Sequence, residues 1–210
     1  MSTHHTTNPY QINTKKFSTH SIIQSIIKPN TTVLDIGCND GYIGKTFGSA
    51  STFYGLEYSE SSVKKAQESY KKVLQYDLNN LVKVDLPKAD TLIFADVLEH
   101  VDSASGSLSF FVQNYLNEDG NVIISLPNIA NWQVRLNLLF GKFDYVETGI
   151  MDKTHLHLYT FKSSRKLVSE CGLRAVDEFG GASFFGPIIK VMPFLRGLLA
   201  TNIILVCKKI

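Results

Sequence analysis

The sequence predicts an α/β domain built on a mostly parallel sheet with helices on both faces. Three observations predict it. Short, largely apolar runs alternate with helical stretches; four of the runs end in an acid or are followed at once by one; and the first run passes directly into a glycine turn, Val33-Leu-Asp-Ile-Gly-Cys-Asn-Asp-Gly41.

Residues 1–14 are rich in Thr and Asn and are expected to be mobile, with Tyr10 to Phe17 a stretch that can fold over a ligand. Ile22, Ile23, Ile26 and Ile27 recur at the spacing of one helical face, and Pro29-Asn30 ends that helix. Strands are expected at 32–36, 52–57, 72–76, 91–95 and 121–125, separated by helices at 42–47, 60–70 and 105–116. A helix over 130–139, a polar loop, a helix over 162–171 stopped by Gly172, and strands at 174–179 and 202–208 complete the chain. No internal repeat or Gly/Ser/Pro-rich linker divides it, so one domain is expected over 1–210.

A chain of 210 residues with 44% hydrophobic content has enough apolar material for one ample core. A net charge of +2 with scattered lysines offers no basic stripe, which disfavours nucleic acid as a partner. Cys38, Cys171 and Cys207 form no C-x-x-C pair, which disfavours a zinc knuckle or disulfide framework and fits a reducing compartment. The polar first 20 residues show no apolar h-region, so the expected location is cytoplasmic. The apolar stretch 187–207 is interrupted by Lys190, Pro193, Arg196 and Gly197 and is too broken to span a membrane. Its amphipathic part, within 183–200, is open to four uses: ordinary packing, a cap over a pocket, a homodimer face, or contact with a membrane surface.

The glycine turn carries the chemistry. Gly37 and Gly41 allow a backbone to approach a ligand, and Glu57, about 20 residues after the turn, suits paired ribose hydroxyls. A dinucleotide fingerprint places bare glycine where this chain has Asn39, and Asp35 and Asp40 would repel a pyrophosphate. The same acids suit a nucleoside carrying a sulfonium and an ammonium. A nicotinamide oxidoreductase is therefore disfavoured.

At these residues the chain resembles the class I S-adenosylmethionine (SAM)-dependent methyltransferases, whose first motif commonly reads (V/L)-L-D-x-G-C-x-x-G. The likeness runs from about Ile22 to Lys209 and implies a Rossmann-like, seven-stranded sheet whose last strand is inserted antiparallel. It implies SAM as cofactor, with Glu57 at the ribose hydroxyls, Asp77 and Leu78 at the adenine, and the backbone around Gly37, Cys38, Asn39 and Ala95 at the methionine portion; Asp35, Asp40, Gly41, Tyr58 and Asp96 are expected in the same cofactor site.

Two clusters offer a base for a hydroxyl acceptor. In Gly149-Ile-Met-Asp152-Lys-Thr-His155-Leu-His157, His155 is the expected general base and Asp152 its orienting acid, because imidazole titrates near working pH. With Ser125-Leu-Pro-Asn128-Ile-Ala-Asn-Trp132 and Arg135, this region resembles methyltransferases of glycan and cell-surface biosynthesis, which read S-L-P-N-x-x-x-W-x-x-R and D-R-T-H-L-R. That likeness places Asn128, Trp132, Arg135 and His157 at a small-molecule substrate. Lys153 and His157 stand where that subgroup carries arginines, which weakens any anion contact there. The other cluster, Asp96-Val-Leu-Glu99-His100, resembles ubiquinone-type O-methyltransferases, some of which hold a divalent cation with these positions; the count closes no site here, and no metal is assigned. The leading expectation is an O-methyltransferase acting on a sugar-like or other small acceptor. The alternatives are a quinone or phenol O-methyltransferase, and a non-catalytic SAM-binding protein like the related methionine-biosynthesis companion proteins.

Overall fold

The computed structural model describes residues 15–210. The expected mobility of 1–14, and the part of the ligand-covering stretch before Lys15, lie outside the described residues. Seven strands form one sheet: β1 (Thr32–Ile36), β2 (Thr52–Glu57), β3 (Lys72–Gln75), β4 (Ala89–Ala95), β5 (Leu116–Pro127), β6 (Leu173–Gly181) and β7 (Asn202–Lys209), in the order β3-β2-β1-β4-β5-β7-β6. The first five run parallel, and β7 is antiparallel to both β5 and β6. The helices are α1 (Thr19–Ile26), α2 (Tyr42–Phe47), α3 (Glu60–Ala66), α4 (Ala104–Tyr115), α5 (Trp132–Leu139), α6 (Phe161–Glu170), α7 (Gly186–Val191) and α8 (Arg196–Leu199). This is the expected Rossmann-like, seven-stranded architecture with the last strand inserted antiparallel.

Strand period decides which face each residue serves. Leu56, Ile36, Phe94, Ile124 and Leu205 sit opposite one another across five strands and pack as a continuous row in one core, with Leu108 and Phe111 of α4 and Val168 of α6. Residues of the other parity, Val33, Ile93, Ile123 and Ile204, build the second core with Ile23 of α1, Ile43 of α2 and Val63 and Ala66 of α3. Burial on both faces is why the central strands are apolar throughout rather than alternating.

Local chemistry sets the boundaries. Ser18, Ser59, Ser103 and Thr160 cap α1, α3, α4 and α6 through their side-chain oxygens, and Thr160 with Ser163 completes a capping box. The helix expected over 60–70 ends at Ala66, after which the Ser69 and Tyr70 amides both bond the Ala66 carbonyl and Tyr70 turns into the core. Leu116, expected as a helix end, instead opens β5 by pairing with Ala89, which lengthens that strand to 12 residues. The helix expected from Ala130 starts two residues later because Asn131 caps it, its Oδ1 accepting from the Gln133 amide at 3.0 Å.

Phe94 is wholly buried in the middle of the five-strand row. Phe94→Ala is expected to lower the free energy of unfolding by about 3–5 kcal/mol in denaturant titration; a loss under about 1 kcal/mol would show that this row is not the core of the sheet.

Candidate cofactor cleft

Successive connections leave β1 toward β2 and leave β4 toward β5, so the strand order reverses between β1 and β4, and a crevice opens at their C-terminal ends. There the structure has a cleft of about 930 Å³, walled by the ends of β1, β2 and β4, by the segment after β3, by His20 from α1 and by Thr154.

Asp35 forms the floor. It is 1% exposed, and its Oδ2 accepts the Tyr70 hydroxyl at 2.6 Å, while that hydroxyl accepts the Gly44 amide at 3.2 Å. Its Oδ1 is buried without a partner. Burial pushes the carboxyl up to about 7, against the pull of the Tyr70 bond and with the help of the nearby Glu57 charge.

The glycines have a tighter purpose than ligand access alone. Gly37 has φ +74°, and a Cβ there would come within 2.6 Å of Val97 Cγ2; at Gly41, also φ +74°, it would meet the Ala66 Cα at 3.0 Å. Gly37 still lines the cleft; Gly41 does not and instead seats the turn on α3. Asn39 adopts φ +48° between them, which aims its amide at Glu57.

Glu57 faces the cleft with both oxygens oriented by backbone, Oε2 by the Asn39 amide at 2.9 Å and Oε1 by the Ser59 amide at 2.8 Å. Each oxygen keeps a lone pair for a further donor. Cys38, Tyr58, Asp77, Leu78, Ala95 and Asp96 also line the cleft. Tyr58 stands on the rim, 71% exposed; Asp77 turns the chain through an Asx bond to the Asn79 amide at 2.9 Å. The Cys38 thiol is pushed up by burial and then by Asp35 and Glu57, which keeps it in the thiol form. Asp96 holds φ +53° at the end of β4, its Oδ1 accepting from Ser125 Oγ at 2.8 Å and Asn202 Nδ2 at 2.9 Å. These bonds fix it as a wall residue.

Asp40 departs from the expected role. It is not among the residues lining the cleft; its Oδ2 pairs with Lys65 Nζ at 2.9 Å and accepts the Tyr42 hydroxyl at 3.2 Å. Partial burial raises its pKa, but the bonds from Lys65, Ser62 and Tyr42 outweigh that and hold it below the usual value. Its charge is paired on α3, so of the two acids expected to face the cofactor from this turn only Asp35 lines the cleft.

The expected base and its acid are also arranged differently. Asp152 Oδ1 accepts from the Thr154 amide at 2.8 Å and the Thr154 hydroxyl at 2.7 Å, while His155 Nδ1 lies 3.1 Å from the Ile150 carbonyl. His155 does not line the cleft; its ring packs edge-on against that of His100, centroids 4.8 Å apart, and His100 does. Asp152 therefore shapes the loop.

Nor does the cleft include Asn128, Trp132, Arg135 or His157. Asn128, wholly buried, donates Nδ2 to the Gly197 and Ala200 carbonyls at 3.2 and 2.9 Å, and its Oδ1 accepts the Ala130 amide. Arg135 Nε reaches the Ala130 carbonyl at 2.6 Å, and His157 Nε2 the Val101 carbonyl at 2.9 Å. Trp132 meets Phe185 edge-on with centroids 6.4 Å apart. These residues fasten the loops after β5 and before α6. The segment 183–200 likewise stays off the cleft and leaves Phe184, Val191 and Phe194 exposed.

His20 was not legible in the sequence. It opens the first turn of α1, half-buried in the cleft wall, and burial lowers its pKa, with a partial offset from Asp96. It is neutral at pH 7 and able to accept a proton.

The family model described as "Methionine biosynthesis protein MetW" matches residues 18–185. The chain belongs to the MetW family. No curated protein sequence matches this MetW-family chain. Among solved structures it is similar to magnesium protoporphyrin IX methyltransferase from Synechocystis PCC 6803 with bound SAH, at 19% identity and TM-score 0.63, covering 90% of this chain and 79% of that one. It is similar also to a SAM-dependent methyltransferase from Mesorhizobium loti, at 14% identity and TM-score 0.64, covering 90% and 96%, and to one from Archaeoglobus fulgidus, at 17% identity and TM-score 0.62, covering 90% and 94%. At these identities the likeness establishes the fold. Among the described residues, no helix is long and apolar enough to cross a membrane.

Asp35 makes the fold's stability pH-sensitive. The native carboxyl keeps its proton to about 7 whereas the unfolded one loses it near 3.8, so the native state binds more protons in that window and stability falls as pH rises through it. Relative to wild type, Asp35→Asn is expected to gain stability at pH 8, by at most roughly 4 kcal/mol, and to lose that gain by about pH 4. Thermal melts of the ligand-free protein across this range test it; a pH-independent difference would show that Asp35 is ionised throughout.

Proposed function

We propose that the chain binds SAM in the cleft and transfers its methyl group to a hydroxyl of a small acceptor. The observation that carries this reading is the convergence of three acids from successive strand ends on one crevice: Asp35 with an unpartnered, buried Oδ1, Glu57 with two oriented oxygens, and Asp77. A buried oxygen without a donor is costly, and an ammonium or a positively charged neighbour relieves it. Paired oxygens held by backbone amides suit the two ribose hydroxyls. Asp77 and the Leu78 amide suit the adenine edge. Bound SAM supplies an electrophilic sulfonium methyl.

For its part, the protein orients and deprotonates. Asp96 holds the backbone at the end of β4 in the left-handed region, and the Ala95 to Val97 segment forms the wall against which an acceptor is placed. His20 takes the acceptor proton at its unprotonated ring nitrogen, a role its neutral state and its place beside Asp96 support. The S-L-P-N and D-K-T-H-L motifs favour a sugar-like acceptor over a phenol by resemblance. The two buried cysteines, Cys38 and Cys207, are free thiols, in keeping with a reducing, cytoplasmic setting.

A second reading has its own support. The family description names a pathway rather than a reaction, and Leu139, Phe140, Phe184 and Phe194 expose apolar surface on α5 and around α7. On that reading the chain binds SAM and acts through a protein partner.

Glu57→Ala is expected to weaken SAM binding by about 1–3 kcal/mol in titration calorimetry; an unchanged dissociation constant removes Glu57 from the site. His20→Ala is expected to lower methyl transfer from labelled SAM about 10²–10⁴-fold while leaving SAM affinity alone. SAM binding without any turnover across a panel of hydroxyl acceptors would favour the partner reading.

A further inference from the structure

Glu99 lies in a short 3₁₀ turn, Leu98–His100, directly after β4. Its side chain is wholly buried, and neither carboxyl oxygen has a hydrogen-bond partner. Its backbone carbonyl accepts the Leu156 and His157 amides at 2.8 and 3.2 Å, which presses the loop carrying His155 onto this turn.

Two imidazoles complete the cluster. A Glu99 oxygen and one nitrogen from each of His100 and His155 lie within 4.8 Å of one another. Nδ1 of His100 faces the Thr154 carbonyl at 3.2 Å, and Nδ1 of His155 faces the Ile150 carbonyl at 3.1 Å. A carbonyl only accepts, and the Thr154 hydroxyl, 3.1 Å from the same His100 nitrogen, already donates to Asp152 Oδ1, so each neutral ring carries its proton on Nδ1 and leaves the Nε2 lone pair available. Fixing the tautomer through a backbone carbonyl is the outer-shell arrangement that orients a metal-binding histidine. The cluster therefore joins a buried carboxyl whose two oxygens have no hydrogen-bond partner with two imidazoles that each offer a bare ring nitrogen. A cation satisfies all three at once.

We propose that Glu99, His100 and His155 bind one first-row divalent cation beside the cleft. Two imidazole nitrogens and one carboxylate are a donor set for zinc and its transition-metal neighbours; magnesium and calcium favour oxygen ligands. Donors about 2.0–2.2 Å from one tetrahedral ion lie roughly 3.3–3.6 Å apart, so the three atoms, within 4.8 Å of one another, close by about an ångström on binding. Asp96 is not part of the set, which groups only Glu99, His100 and His155, and its Oδ1 is held by Ser125 and Asn202. The ion would tie the 150–157 loop to the end of β4 and, through His100, would sit at the wall of the cleft. This site stands independently of the SAM reading.

The test uses the full, untagged chain, stripped with a chelator and titrated with Zn²⁺, with bound metal counted by mass spectrometry, and with Co²⁺ as a spectroscopic probe. One Zn²⁺ per chain is expected, with a cobalt d–d spectrum of a four- or five-coordinate site. Glu99→Gln and, separately, His155→Ala should each weaken Zn²⁺ binding at least tenfold while circular dichroism shows an intact fold. His4→Ala/His5→Ala should leave it unchanged. Zn²⁺ binding no tighter in wild type than in whichever of the two variants folds, or binding lost only with His4 and His5, overturns the proposal.

Discussion

One oxygen of Asp35 bonds the Tyr70 hydroxyl and the other bonds nothing, at the end of the strand around which the whole sheet is ordered. Much of the site follows from placing an acid there. Tyr70 must leave α3 to reach it, so the helix stops at Ala66; Gly44 must be bare, because a Cβ would meet the Tyr70 ring at 2.3 Å. The turn that follows folds back over Asp35, with the Gly37 and Cys38 amides on the Leu56 carbonyl and the Asn39 amide on Glu57. The acid is thus built in before any ligand arrives, and the protein carries the cost as a carboxyl pushed up to about 7.

The cleft is asymmetric in how its acids are treated. Glu57 and Asp96 are oriented by donors, Asp77 serves a turn, and Asp40 is neutralised by Lys65. Among the described residues Asp35, Asp40 and Glu99 have buried carboxyl oxygens lacking a donor, and of these Asp35 and Glu99 have the whole side chain buried. Burial pushes the Glu99 carboxyl well above its ordinary value, with Asp96 adding to the effect. Asp35 on the cleft floor and Glu99 in the turn beneath its wall each keep a carboxyl oxygen that a bound cation would satisfy.

Sequence reading reached the parts of this arrangement that are local. The seven strands follow from apolar runs, and the four acids at strand ends from their position one residue inside or after each run. The glycine turn was visible because its residues are contiguous. What escaped depends on pairings across long separations. Lys65 reaches Asp40 from 25 residues away, Asn128 holds carbonyls at 197 and 200, and His20 meets the cleft from a helix that precedes the first strand. The motif around Asp152 was legible as a motif, but its acid serves Thr154, and its histidine lies behind His100, which comes from the turn after β4. Motif residues that fasten loops and motif residues that touch ligands look alike until the partners are known.

The most direct measurement is the proton inventory of SAM binding at pH 6.5, by calorimetry in two buffers of different ionisation enthalpy. If the sulfonium and ammonium sit against Asp35, binding ionises its carboxyl and protons are released to the buffer. SAM binding with no proton release, or with uptake, would contradict the claim that this buried acid is the cation-binding floor of the cleft.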